Sequence, residues 1–153
     1  MKRHESIAAI SREHHFGLLF CWKIRQGLKK QVQTQRIFAY VKHFWDNHLQ
    51  DHFKAEEELL FPALQDKLSD QAIAEHRQIR QLIEAMSGAR PAQPQELTLL
   101  AGSVDKHIRF EERVLFPHIE TELQGEALTE IGNRIHSLHH NPGEDNYSDE
   151  FWK

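Results

Sequence analysis

The chain has 153 residues, of which 39% are apolar and 27% are charged, a composition that excludes a disordered or membrane-embedded protein and fits one globular domain. The chain has 19 Lys and Arg and 23 Asp and Glu, which gives a net charge of −4. Nucleic-acid-binding proteins normally have an excess of basic residues, so this class is disfavoured. The single cysteine, Cys21, excludes an intrachain disulfide and any CxxC motif. With 12 histidines in the chain, imidazole side chains are the first place to look for function.

The N-terminal ten residues carry charges without a following apolar stretch, so we expect no targeting signal. The longest apolar run, residues 18–22, is far shorter than the roughly 20 residues of a membrane span. These features, together with a lone cysteine, predict a cytoplasmic protein that does not associate with membranes.

The first predicted helix covers residues 7–28, where apolar side chains recur every three or four positions. Ser6 or Ser11 could serve as its N-cap. The second predicted helix starts near residue 36 and runs toward Leu64 or Leu68.

The third predicted helix begins with Ser69 as its N-cap and ends near Met86, just before Ser87-Gly88. The fourth extends from about Pro94 to about Leu123, and residues 126–140 form a short fifth helix. No stretch alternates apolar and polar residues as a strand would.

Four long helices with short connections predict an all-α fold, an up-down-up-down antiparallel four-helix bundle. The bundle with its short C-terminal helix would occupy residues 1–140, and residues 141–153 would form a polar C-terminal tail. Such bundles build their sites in the core, from side chains on facing helices. Each of the four apolar stripes contains a histidine, which points to a core site.

A repeat links the second and fourth helices, because residues 52–62 and 107–117 both read H-x-x-x-E-E-x-x-L-F-P. Each repeat ends in a proline, Pro62 or Pro117, which should kink its helix or mark its last turns.

In each repeat, the histidine and the first glutamate lie one turn apart on the same helix face: His52 with Glu56, and His107 with Glu111. A carboxylate can bridge two metal ions, and imidazole is a good ligand for iron, zinc, copper or nickel. Two such pairs on separate helices therefore predict a dinuclear metal site.

Two further histidines, His14 and His76, lie at the same depth as the repeats when residues are counted from the helix connections. His15 points about 100° away from the apolar stripe, so His14 is preferred, while His48 is a second reserve candidate. Three other glutamates are expected to be solvated, as are the histidines near the chain ends and on outer faces: Glu57, Glu58, Glu112, His4, His43, His118, His136, His139 and His140.

The segment 11–14, both repeats and the Glu75-His76 pair resemble the haemerythrin-like family, also called HHE cation-binding domains. The resemblance covers nearly the whole chain and implies a four-helix bundle with a non-haem di-iron centre. It implies nitrogen ligands from four histidines and bridging carboxylates from two glutamates: His14, His52, His76, His107, Glu56 and Glu111.

The sequence departs from oxygen-carrying haemerythrins at Arg80, where those proteins have the second histidine of a His-x-x-x-His pair. Arginine stays protonated and is a poor ligand. The smaller ligand set is more similar to iron- or oxygen-responsive sensors and iron-centre repair proteins. Repair-type members carry an additional Cys-containing N-terminal segment, whereas this sequence reaches its first helix almost at once.

The resemblance therefore implies two non-haem iron ions with an oxo or hydroxo bridge, and one open position on each ion if the histidines are shared evenly. The expected partner is a small ligand: dioxygen, peroxide or nitric oxide. Two alternatives stay open, a di-iron enzyme for peroxide handling or iron-centre repair, and a zinc-binding or metal-free helical interaction module. The sequence does not decide between binding protein and enzyme, nor between a homodimer and another protein partner.

Overall fold

A computed structural model describes residues 2–153, and these residues form helices and no strand, which confirms the all-α prediction. Met1, which the predicted domain includes, lies outside the described residues. The helices are α1 (Glu5–Lys29), α2 (residues 34–63), α3 (Lys67–Met86), α4 (residues 94–122) and α5 (Glu126–Leu138). Among the described residues, none of the helices has the length and hydropathy to cross a membrane.

Two of these helices change their winding along their length. The parts of α2 are Thr34–Phe44, a π turn at Trp45–Leu49, Gln50–Ala55, a second π turn at Glu56–Leu60 and a closing 3₁₀ turn at Phe61–Ala63. The parts of α4 are Pro94–Phe110, a π turn at Glu111–Leu115 and Phe116–Glu122.

The late prolines explain the π turns that begin at Glu56 and Glu111. Proline has no N–H, and in an α-helix its ring collides with the carbonyl four residues earlier. A π turn widens the helix before the proline, so that the N–H of the preceding phenylalanine donates to the carbonyl of the glutamate, five residues back. Pro62 then ends α2 within its last turn, as predicted, while α4 continues past Pro117.

Two helix starts differ from the prediction. The N-cap of α1 is His4, whose Nδ1 accepts a hydrogen bond from the N–H of Ser6 at 3.0 Å, and neither Ser6 nor Ser11 has this role. Helix α3 starts earlier than predicted because Asp66 is its N-cap. The Asp66 carboxylate accepts from the N–H of Ser69, and the Ser69 hydroxyl accepts from the N–H of Asp66.

The C-terminal tail, residues 141–153, packs on the bundle of its own chain. Phe151 and Trp152 are buried in the core, although the rest of this segment is polar. Gly27 makes room for this packing, because a Cβ on Gly27 would lie 2.7 Å from the ring of Phe151 and 2.9 Å from Ile37. A residue without a side chain is thus needed at position 27, although glycine is unfavourable within a helix.

The core consists of two apolar clusters that meet at the level of the predicted ligands. On α1, Ile7 and Ile10 belong to one cluster, Phe20 belongs to the other, and His14 lies between them. On α3, His76 lies in the same way between Ala72 and Ile79. Helices α2 and α4 also change cluster near their predicted ligands, so a layer of buried polar groups separates the two apolar clusters.

Candidate metal centre

The structure brings the six predicted ligands together in the polar layer of the bundle. All six are buried, and Glu56, His76 and Glu111 are completely inaccessible to solvent. They form two groups whose donor atoms lie within 4.8 Å of one another. The first group is His14, His52, Glu56 and Glu111, and the second is His76, His107, Glu56 and Glu111.

In the first group, the Nε2 atom of His14 lies 2.8 Å from Oε1 of Glu111. The Nε2 atom of His52 lies 3.5 Å from Oε1 of Glu56, its neighbour one turn along α2. The two imidazole rings have their centroids 5.0 Å apart. Helices α1, α2 and α4 thus each contribute to this group.

In the second group, Nε2 of His76 lies 3.1 Å from Oε1 of Glu56 and 3.6 Å from Oε2 of Glu111. The Nε2 atom of His107 lies 3.1 Å from Oε2 of Glu111. Both glutamates therefore belong to both groups, and each group has two imidazoles of its own. Carboxylates shared in this way could bridge two metal ions.

Several polar atoms at the centre of the cluster are buried without a hydrogen-bond partner. Such atoms are costly, because they have lost water and gained no replacement. They are Nε2 of His52, His76 and His107, both carboxylate oxygens of Glu56, and Oε2 of Glu111. All belong to the predicted ligand set, and nitrogen and oxygen donors of these types suit first-row transition-metal ions. The residues present therefore fit a pair of metal ions.

The opposite ring nitrogen of each of the four histidines donates to a carboxylate. The pairs are His52 with Glu13, His76 with Glu57, His107 with Glu75 and His14 with Glu112, at 2.6–2.7 Å. A carboxylate only accepts, so Nδ1 carries a proton, and Nε2 is the ring nitrogen that faces the centre of the cluster. The expectation that Glu57 and Glu112 are solvated is wrong, whereas Glu58 is exposed as expected.

The sequence does contain a signal for these four carboxylates. Each of Glu13, Glu57, Glu75 and Glu112 is adjacent in the chain to a predicted ligand. Neighbouring helix positions point about 100° apart, so such a glutamate cannot face the centre beside its neighbour. It faces the adjacent helix instead, where it accepts a hydrogen bond from the histidine of that helix.

Charges within the cluster shift several pKa values. Burial alone would lower the pKa of His52, but the carboxylates of Glu56 and Glu13 outweigh burial and raise it to about 10. Burial is likewise outweighed at His107, where Glu111 is the main cause that raises the pKa to about 9. Burial would raise the pKa of Glu111, but the imidazoles, led by His107, hold it well below its ordinary value. The carboxylates thus favour positive charge at the imidazoles, which protons or metal ions can supply.

Three other residues considered in the sequence lie elsewhere. His15 is exposed on α1, pointing away from the centre. The expectation that His139 lies on the surface is wrong, because its side chain is buried. This residue follows the end of α5, and its Nε2 atom lies 2.8 Å from Oε2 of Glu13. Arg80 contributes no donor to either group and lies over the ring of Trp45.

A small cavity adjoins the first group of ligands. Its volume is about 20 Å³, enough for one water-sized molecule. Its walls are mostly apolar, and His14, His52 and His107 reach it. The apolar lining residues include Phe16, Phe44, Leu49, Val104 and Ile108, and Pro142 reaches it from the C-terminal tail.

Residues 5–119 match the family model described as hemerythrin, hemerythrin HHE cation binding domain. The chain belongs to this family. The matched range begins at the start of α1 and ends after the second repeat, so it includes all six predicted ligands. Comparison of this HHE domain with curated proteins and with solved structures found no match. Membership supports cation binding, and the two His/Glu groups are where this HHE domain could hold cations.

Proposed function

We propose that this protein is a non-haem di-iron protein that binds a small ligand, such as dioxygen, peroxide or nitric oxide, for sensing, storage or a stress response. The observation that carries the proposal is the set of unpartnered buried donor atoms on the ligands of both groups. Bound metal ions would supply Lewis acidity and redox chemistry. Iron with an oxo or hydroxo bridge suits imidazole and carboxylate donors in this family.

The side chains of the first group support the small-ligand part of the proposal. His14 and His52 face both the proposed metal position and the cavity. The cavity wall is mostly apolar, and its volume of about 20 Å³ suits a molecule of the size of water. Glu13 and Glu112 hold the two imidazoles in a fixed orientation while a ligand enters.

Three further features belong to the proposal. Helices α1 to α4 alternate in direction as an up-down-up-down bundle, which is supported by the common level of the four histidines. Residues 1–140 are the metal-binding domain, and residues 141–153 cover it. We place the protein in the cytoplasm, because its single cysteine is buried and unpaired.

The test is metal analysis of protein purified from iron-supplemented cells, together with absorption spectra under nitrogen, air and nitric oxide. We expect two iron ions per chain and spectral changes with dioxygen or nitric oxide. Glu111→Ala removes a carboxylate of both groups and should leave fewer than two ions, whereas the exposed Glu58→Ala should retain two. Two ions in Glu111→Ala would contradict the bridging role. Zinc in place of iron, or spectra that do not respond to either gas, would contradict the proposed function.

A further inference from the structure

A second cluster of potential ligands lies outside the dinuclear centre, where α2 meets the C-terminal tail. It consists of His43, His48 and Asp145, whose donor atoms all lie within 4.8 Å of one another. His43 and His48 are five positions apart, which on a regular α-helix would turn their side chains well away from each other. In the π turn Trp45–Leu49 the N–H of Gln50 donates to the carbonyl of Trp45, five residues back, and this wider turn brings the two side chains closer to the same side of α2.

Asp145 is the central residue of this cluster. Its side chain is only 2% exposed, and its Oδ1 atom is buried with no hydrogen-bond partner. The other oxygen, Oδ2, accepts hydrogen bonds from the ammonium group of Lys23 at 3.1 Å and from the hydroxyl of Tyr40. Oδ2 thus accepts two hydrogen bonds. Oδ1 accepts none, although it faces the imidazoles of His43 and His48.

The spacing of the three donor atoms does not suit hydrogen bonds. Oδ1 of Asp145 lies 3.8 Å from Nε2 of His43 and 3.6 Å from Nε2 of His48, which is too long. Ligand atoms about 2.1 Å from a tetrahedral zinc ion are about 3.4 Å from one another. The corresponding Nε2 to carboxylate distances in the dinuclear centre, at His76, are 3.1 and 3.6 Å.

The protonation of His48 is compatible with metal binding. Burial lowers the pKa of His48, which favours the neutral form of its imidazole. The neutral imidazole is the form that coordinates a metal ion. The ammonium group of Lys23 already balances part of the charge of Asp145, so a cation here should bind less tightly than in the dinuclear centre.

We propose that His43, His48 and Asp145 form a second, mononuclear site for a divalent transition-metal ion such as Zn²⁺, with the remaining position open to water. This inference does not depend on the dinuclear centre or on the proposed function. The ion ties the C-terminal tail to α2. His48 and Pro142 both line the small-ligand cavity, so the same ion also fixes the part of the tail that covers this cavity.

The test is equilibrium dialysis of iron-loaded protein against Zn²⁺, with iron and zinc counted in the same samples. Wild type should bind one more Zn²⁺ per chain than His43→Ala, at unchanged iron content. Asp145→Asn should weaken this zinc at least tenfold. His136→Ala, which removes an exposed histidine on α5, should behave as wild type.

A second measurement separates a structural tie from adventitious binding. Zn²⁺ should slow amide hydrogen exchange of residues 143–150 in wild type but not in His43→Ala, whose partly exposed position allows normal folding. Equal zinc counts in wild type and His43→Ala, or exchange unaffected by Zn²⁺, would overturn the proposal. If wild type binds one more Zn²⁺ than His43→Ala but neither protein holds iron, the result supports this site and contradicts the proposed function.

Discussion

His76 on α3 donates its Nδ1 hydrogen to Glu57 on α2, across 2.6 Å. The same relationship recurs around the four helices α1 to α4: Glu13 of α1 accepts from α2, Glu75 of α3 accepts from α4, and Glu112 of α4 accepts from His14 of α1. The four hydrogen bonds therefore form a closed circuit around the centre. Each helix sets the orientation and tautomer of one imidazole on a neighbouring helix.

The carboxylates of this circuit should matter for metal affinity although none is a ligand. Glu57→Ala removes the acceptor of His76, and loss of such a partner typically weakens metal binding about 10- to 100-fold. Competition with a chelator of known affinity measures the effect. Glu58→Ala, the same substitution at the next, exposed position, is the matched control. Equal affinities of the two variants would show that Glu57 has no orienting role.

Metal binding should strengthen as the pH rises. Neighbouring carboxylates raise the pKa of His52 to about 10 and that of His107 to about 9, so a metal ion must displace protons from these imidazoles below those values. We expect proton release on binding and an apparent affinity that increases from pH 6 to pH 9. Calorimetry in buffers of different ionisation enthalpy measures the released protons.

Chelated protein should show the opposite trend. A histidine pKa raised above its ordinary value of 6.5 stabilises the folded state fully below pH 6.5, and this contribution is lost as the pH rises through about 9 to 10. The urea midpoint of chelated protein should therefore fall between pH 6.5 and pH 10. A midpoint that rises over this range would contradict the charge arrangement described here.

The cavity should control ligand entry. Val104 lines it, and Val104→Ile adds one carbon to a space of about 20 Å³. A methylene in a filled pocket changes binding by about tenfold or more, so nitric oxide binding should weaken by about that factor at unchanged metal content. Val114→Ile, on the same helix but 45% exposed, is the control. Stopped-flow spectroscopy measures nitric oxide binding to each variant. Unchanged binding by Val104→Ile would show that ligands do not enter through this cavity.

The N-cap of α3 should contribute measurably to stability. Asp66→Ala removes the acceptor of the Ser69 N–H and should cost about 1 kcal/mol at pH 7. The Ser69 N–H and His118 hold the pKa of Asp66 below its ordinary value of 3.8. The difference between wild type and variant should therefore persist above pH 3.8 and vanish as the pH falls through the lowered pKa. Urea unfolding measures it, with the exposed Asp70→Ala as control.

The six side chains that the structure brings together can be predicted from the sequence, because the repeat spacing and the apolar stripes are local properties of single helices. The partners of those side chains depend on how helices are rotated against each other. Glu57 and Glu112 were expected in solvent for this reason, since no periodicity within one helix reports what the next helix presents. Their adjacency to Glu56 and Glu111 was visible, but its meaning required the packed structure.

The π turns and the tail show a second limit. Pro62 and Pro117 predicted a disturbance in their helices, but the choice between a kink, an end and a widened turn depends on the packing around each one. Phe151 lies at the end of a polar segment, and its position follows from the space that Gly27 leaves on α1. Packing between residues that are far apart in the chain cannot be predicted from the local spacing of apolar and polar residues.

The layer of buried charge between the two apolar clusters also bears on folding cooperativity. A continuous apolar core lets a small domain unfold in one step, whereas here the helices pass through a level where buried polar groups, with their cost of desolvation, replace hydrophobic contact. Metal ions at this level would couple the two halves. After chelation each of the two apolar clusters can unfold separately, so one cooperative unfolding transition should become two. One transition belongs to the cluster that includes α5, and the other to the cluster that includes Trp152.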